Sequence, residues 1–229
     1  SKIMIRAAQI AHHQADHSFQ GLSSQPAHID RAQMVFQQQA RVEELRAAKY
    51  TSILDSNPNI HLVPGRARFV DAQTLSVMPP DGQEKIITAD RILIATGSSP
   101  NIPNIPGLVD TPYWTSTEAL VAETLPEHLI VMGGSIVAVE LAQAFRRLGS
   151  AVTLIARSTL LSKEDPTIGE GLQAVFEREG IQVITQTVPS AVSHNEDGFV
   201  VTTPTGKLLG DHLLVAAGRA PNTTDLGLD

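Results

Sequence analysis

Cysteine is absent from the 229 residues. No disulfide and no thiolate metal site can form within the chain, and a cytoplasmic setting is the expectation. Long apolar runs are missing too. None approaches the roughly 20 residues of a membrane-spanning helix, and the opening residues SKIMIRAAQIAHH lack the layout of a secretory signal. An excess of positive charge is likewise missing, since the formal net charge is −7. Residues 1–112 carry 10 basic and 10 acidic side chains, whereas residues 113–229 carry 7 and 14. Such an acidic half offers no broad counterion-releasing surface, which disfavours nonspecific nucleic-acid binding. A phosphorylated ligand there must be held by a few placed arginines and by backbone amides. Repeats and low-complexity segments are absent.

What is present, with 42% hydrophobic residues, suffices for one large domain or two small ones. Residues 1–15 have Ile3, Ala7, Ile10 and Ala11 near one helical face. A polar loop follows. Asp30 then sits as an N-cap before a longer helix over about 31–54. His12, His13 and His17 lie within a turn or so of one another, but a zinc site needs a third well-placed ligand. They read as a solvated face, so no metal centre is expected.

Short β-type runs come next: IHLVPG, ARFVD, TLSVM, KIITA and RILIATG, with a turn at Pro79-Pro80-Asp81-Gly82. The proline- and glycine-rich stretch SSPNIPNIPGLVDTP marks the border of two domains, expected as 1–112 and 113–229. Beyond it the rhythm is strand 129–132, helix 135–148, strand 151–155, helix 166–179, strand 181–185. That alternation predicts a parallel sheet covered by helices. Three short β runs near Val192, Phe199–Thr202 and Lys207–Leu209 predict a meander, followed by a buried strand HLLVAAG.

The stretch LIVMGGSIVAVELAQAF carries the chemistry. A strand, a glycine turn and a helix suit a diphosphate, because the backbone approaches the pyrophosphate over a helix N-terminus. The pattern Gly-x-Gly-x-x-Gly reads Gly133-Gly134-Ser135-Ile136-Val137-Ala138, with Ser135 and Ala138 as the smallest replacements for glycine. The competing reading is a purely structural turn. The end of the next strand selects the nucleotide. An acid there would accept hydrogen bonds from a ribose 2′-hydroxyl, whereas a 2′-phosphate wants arginine. Here Ala156 replaces the acid and is followed by Arg157, with Lys163 six residues on. The competing reading of Arg157 is a solvated surface arginine. Loss of the acid and gain of the cation together predict NADPH.

Three segments, GGSIVAVELAQAF, RILIATGSSPNIPNIPG and LLVAAGRAPNT, resemble the flavoprotein disulfide reductases across essentially the whole chain. SKIMIRAAQIAH, IDRAQMVFQQQARVEELRAAKY and YWTSTEAL are most similar to the members of that family that reduce mercury. The resemblance implies an α/β fold: part of an FAD-binding Rossmann-like domain, then an NAD(P)-binding βαβ domain with a three-stranded meander. It implies FAD and NADPH as cofactors, Hg(II) as substrate of a homodimeric parent enzyme, and a redox disulfide upstream of Ser1.

Site roles follow from it. Lys2 resembles the lysine beside the flavin N5, and Glu140 its carboxylate partner. Glu140 also interrupts an apolar run, so a buried ion pair with Lys2 is expected. Thr96, Gly97 and Ser98 resemble a turn passing the flavin. Ala67 resembles a backbone contact to its adenine, or packs structurally. Arg219, with Gly218, resembles an arginine near the nicotinamide half. Ile136 stands over the nicotinamide pocket where relatives carry tyrosine. Tyr50 either faces substrate or ends an amphipathic helix as a surface aromatic. Two other readings stay open: a different reductase of the same family, and a nucleotide-binding module without redox chemistry.

Overall fold

The computed structural model describes residues 1–80 and 82–228; the expected turn residue Asp81 and the terminal Asp229 lie outside the described residues. The first half opens with α1 (Lys2–Ala15) and α2 (Arg31–Arg46), a π-helical turn (Ala47–Thr51) and α3 (Ser52–Ser56). The strands β1 (Arg66–Asp71), β2 (Thr74–Met78), β3 (Lys85–Thr88) and β4 (Ser98–Pro100) follow. The second half runs α4 (Ser116–Val121), β5 (His128–Met132), α5 (Ile136–Leu148), β6 (Ala151–Ile155), α6 (Pro166–Arg178) and β7 (Ile181–Ile184). It closes with β8 (Ala191–Asn195), β9 (Gly198–Thr203), β10 (Gly206–Gly210), β11 (His212–Val215) and β12 (Arg219–Pro221). The Asp30 cap is observed, its carboxylate accepting from Gln33 N–H at 2.9 Å. The helix that it starts does not run unbroken to Leu54, because the hydrogen-bond ladder widens into the π turn after Arg46.

The chain packs as two units. Residues 1–39 join 100–218, and residues 40–99 join the segment from Arg219 onward. The expected border at 112 falls inside the first unit. There Ile105 and Leu108 are buried against the meander, and α1 contributes Met4, Ala8 and Ala11 to the core that contains α5.

The first unit is built on a parallel sheet of order β11-β5-β6-β7. Its strands are apolar at successive positions because both faces are covered. Side chains alternate faces. Leu129, Val131, Val152, Leu154 and Leu214 meet the helices, while Ile130, Met132, Ile155, Leu213 and Val215 meet Phe199 and Val201 of the meander. That meander is the antiparallel sheet β10-β9-β8, as expected.

Polar groups are settled locally. Asp211 accepts from the backbone N–H of Glu127 (3.0 Å) and of His128 (2.6 Å), and pairs with His212 at 2.9 Å. Burial pushes its carboxyl up, but these hydrogen bonds and the His212 charge outweigh that and hold it below the ordinary aspartate value. Glu179 is similar. Burial raises it, and the bidentate Arg147, the charge of His12 and the Gln143 amide bring it below the usual range. Arg31 is only 3% exposed. Its Nη2 donates to the carbonyls of Ala119 (3.4 Å) and Leu120 (3.0 Å) at the end of α4, and burial lowers its pKa.

The second unit holds the antiparallel sheet β1-β2-β3. Two expected strands are missing from it. Residues 60–65 and 91–97 carry no strand, since among the described residues no strand lies alongside to pair their amides. Leu93 is accordingly 89% exposed.

Two expectations follow for stability. Phe145 is fully buried, so Phe145→Ala should cost about 3–5 kcal/mol, read as a lower urea midpoint through Trp114, the one tryptophan. Asp211→Asn should also lower the midpoint at neutral pH. A depressed carboxyl pKa contributes stability above the unfolded value, about 4, and that contribution is lost as pH falls through the folded value. The gap between wild type and Asp211→Asn should therefore shrink as pH falls below the unfolded aspartate value.

Candidate functional site

The carboxyl edge of the parallel sheet has a topological switch. From β5 the chain steps outward through β6 and β7, whereas β11 pairs on the other side of β5. Open α/β sheets bind ligands at such an edge. The switch brings the ends of β5 and β11 so close that a Cβ on Gly133 would stand 2.2 Å from the Ala216 carbonyl. Gly133 also has φ of +139°, so two independent reasons require glycine there.

The turn leads into α5 with Ser135 as its N-cap, but the Ser135 hydroxyl does not cap the helix. It donates instead to the Ala216 carbonyl at 3.2 Å. Among the described residues, the N–H groups of Ile136, Val137 and Ala138 have no acceptor. The contrast with α6 is direct, because Asp165 there accepts from Thr167 N–H at 2.9 Å. An uncapped N-terminus presents donors and the positive end of the helix dipole to an anion. Ala138 is buried in the core, and Ile136 is 58% exposed at the mouth of the turn.

The end of β6 lies beside this turn. Ala156 is buried, its Cβ 3.1 Å from where a Gly134 Cβ would stand. Arg157 and Lys163 are exposed, and among the described residues neither forms an ion pair. Two free cations therefore flank an uncapped helix in the more acidic half of the chain.

The Lys2–Glu140 ion pair is not formed. Helices α1 and α5 do pack together, yet both side chains are exposed and neither joins an ion pair among the described residues. Helical periodicity supplies the reason. Residues 138, 139, 141, 142 and 145 face the core, which turns Ile136 and Glu140 to one outer stripe. The expectation that Glu140 is buried is corrected accordingly.

In the second unit, residues 96–99 and 219–222 are laced together. Arg219 Nε donates to Ser98 Oγ at 2.7 Å, and its Nη2 donates to the Ser98 carbonyl. Asn222 is the hub. Its amide donates to the Thr96 carbonyl (3.0 Å), its backbone N–H to Gly97 O (3.0 Å), and its side-chain oxygen accepts from Ser99 (2.8 Å). Thr96 returns a bond to the Asn222 carbonyl at 2.8 Å. In the motif GRAPN, residue type alone points to the arginine and gives no sign of this role for the asparagine. Gly97, at φ +72°, has nothing within 4 Å of a would-be Cβ, so its backbone faces open space. Ala67 is half-buried on β1, Gly218 has φ of +121°, and Tyr50 is 65% exposed in the π turn.

Comparison with known proteins converges on one family. The profile described as pyridine nucleotide-disulphide oxidoreductase matches residues 2–229. Proteins named mercuric reductase from Shewanella putrefaciens and Acidithiobacillus ferrooxidans are each 54% identical over the full chain, which spans 41% and 42% of their lengths. Among solved structures, the Cu(II) complex of the HOCl-induced flavoprotein disulfide reductase RclA from Escherichia coli has a TM-score of 0.84 at 30% identity. It covers 98% of this chain and 47% of its own.

The uncapped helix generates a two-sided test. Ser135→Asp places a carboxylate over the free N–H groups and should stabilise the fold by about 1 kcal/mol. The same change should abolish binding of inorganic pyrophosphate, measured by calorimetry alongside thermal unfolding. Gain in both, or loss in both, would contradict the anion site.

Proposed function

Because the chain belongs to the pyridine nucleotide-disulphide oxidoreductase family, we propose that it carries the NADPH site, and part of the FAD domain, of an enzyme that reduces Hg(II) to Hg(0). The NADPH part is carried by one observation: uncapped α5 beside Ala156 and the free Arg157. Residues 113–229 then form the NADPH-binding domain, and residues 1–112 contribute to the FAD-binding domain. The mercury assignment rests on relatives named mercuric reductase, about two-fifths of whose length the chain spans. Soft mercury needs soft sulfur ligands. With no cysteine among these residues, the thiolates belong to other parts of the parent protein. A cytoplasmic homodimer is the proposed setting.

The residues fit the nucleotide. Gly133 lets the backbone approach the diphosphate, and the N–H groups of Ile136, Val137 and Ala138 supply its donors. Arg157, with Lys163, meets the 2′-phosphate through charge-assisted hydrogen bonds, which an acid at position 156 would oppose. Ile136 stands at the mouth of the turn, where a branched side chain excludes water from the nicotinamide side. When bound, NADPH and FAD supply the electrons for the metal. The FAD contacts proposed for Lys2, Ala67, Thr96, Gly97, Ser98 and Glu140 follow from the resemblance, as do those of Gly218 and Arg219 near the nicotinamide. Tyr50 is proposed to face the metal. Alanine in place of the acid, with arginine next to it, disfavours an NAD-linked member of the family.

Arg157→Glu should weaken NADPH relative to NADH by roughly tenfold or more, the loss of a charge-assisted contact to phosphate. Fluorescence titration of both nucleotides measures it. An unchanged ratio would remove Arg157 from the site.

A further inference from the structure

The segment carrying the two cations is exposed at its tips but pinned beneath. Leu160 is 1% exposed. Leu161 N–H donates to the Gly134 carbonyl at 2.8 Å, tying the segment to the glycine turn. Gly134 in turn packs against it, a Cβ there standing 3.2 Å from Thr159 O. On the far side, α6 crosses the Leu160 carbonyl so closely that a Cβ on Gly169 would stand 2.4 Å from it. Thr187 N–H donates to Ala156 O at 3.0 Å, closing the third side.

Backbone conformation marks the same segment. Among the described residues, the non-glycine positions with positive φ are Leu161 (48°) and Gln186 (52°). Both belong to this region, and Gln186 N–H donates to Ser158 O at 3.3 Å. A leucine in the left-handed region persists only where its surroundings over-determine it. Here the surroundings are the tie to Gly134 and the packing of α6.

We propose that residues 157–163 form a preset clamp and that Leu161 and Gly169 are positioning residues for nucleotide selectivity. They fix the offset between the glycine turn and Arg157, so that a diphosphate and a 2′-phosphate are met as one rigid pattern. This rests on the NADPH reading above and adds a claim to it. Neither residue touches the nucleotide; each acts through the backbone of 157–163. A side chain at 169 must displace the Leu160 carbonyl, which is backbone and cannot swing aside. The displacement is transmitted to Leu161 N–H and then to Arg157, whereas the uncapped end of α5 is left in place. Selectivity is therefore expected to suffer before general nucleotide binding does.

The test is fluorescence titration of the 229-residue chain with NADPH and with NADH. Wild type, Arg157→Ala, Gly169→Ala and the Gly169→Ala/Arg157→Ala double variant are compared. Gly169→Ala should lower the NADPH preference by about tenfold, the worth of a charge-assisted hydrogen bond. In the Arg157→Ala background it should lower it no further. Retained NADH binding serves as the control for folding. Should Gly169→Ala fail to fold, position 161 decides. Leu161→Val, whose branched Cβ opposes positive φ, should lose the preference, and Leu161→Asn, which tolerates that region, should keep it. Equal weakening of both nucleotides, or no change, would overturn the clamp while leaving the NADPH reading intact. An unchanged preference in Arg157→Ala itself would instead overturn that reading, and the clamp with it.

Discussion

The approach of two strand ends governs the first unit. Where β5 and β11 finish side by side, the Ala216 carbonyl occupies the space that any side chain on residue 133 would need. That contact fixes more than a glycine. It sets where the chain turns out of the sheet, and hence the start and direction of α5. It also gives the Ser135 hydroxyl an acceptor other than its own helix, so the donors at the head of α5 stay unmet. The unmet donors at this edge are thus a by-product of closing the sheet at this point.

Packing around the sheet makes that edge rigid. Strand residues alternate between a helical face and a meander face, and each set is buried. A shift of one residue in β5 would exchange the two sets and bring Leu129 and Val131 against Phe199 and Val201. The Arg147–Glu179 bridge, bidentate and largely shielded from water, ties the end of α5 to the end of α6. Arg31 is a different case. Its guanidinium closes the end of α4, and among the described residues it has no anionic partner and its Nε and Nη1 meet no acceptor. A buried cation of this kind is tolerated because two helix-end carbonyls supply partial negative charge.

Much of this was legible in the sequence, and the failures share a cause. Local signals were reliable where local physics decides: Asp30 as a cap, the glycine turn, the Pro166 helix start, the three runs of the meander. Residues 91–97 read as a short β-type run from composition alone, yet strand formation needs a neighbour, and among the described residues no strand lies beside them. Glu140 interrupts an apolar run, which suggests burial, but the helical period puts it on the outer stripe with Ile136. Asn222 and Leu161 are placed by backbone geometry and by hydrogen bonds between segments distant in sequence, which leave little trace in residue type. Ala156 and Arg157 could be singled out from residue type alone because the loss of an acid and the gain of a neighbouring base is a choice of chemistry, and their role stays a proposal.

The unmet donors at the head of α5 also bear on how the chain persists in solution. A fold that leaves such groups open is less stable alone than with an anion over them, and any species that binds only the folded state raises its stability in proportion to the logarithm of its concentration. On the proposed nucleotide reading, supply of that ligand sets the fraction of molecules folded at a given temperature. On that same reading, scarcity of reduced nucleotide leaves this part of the protein closer to its unfolding limit.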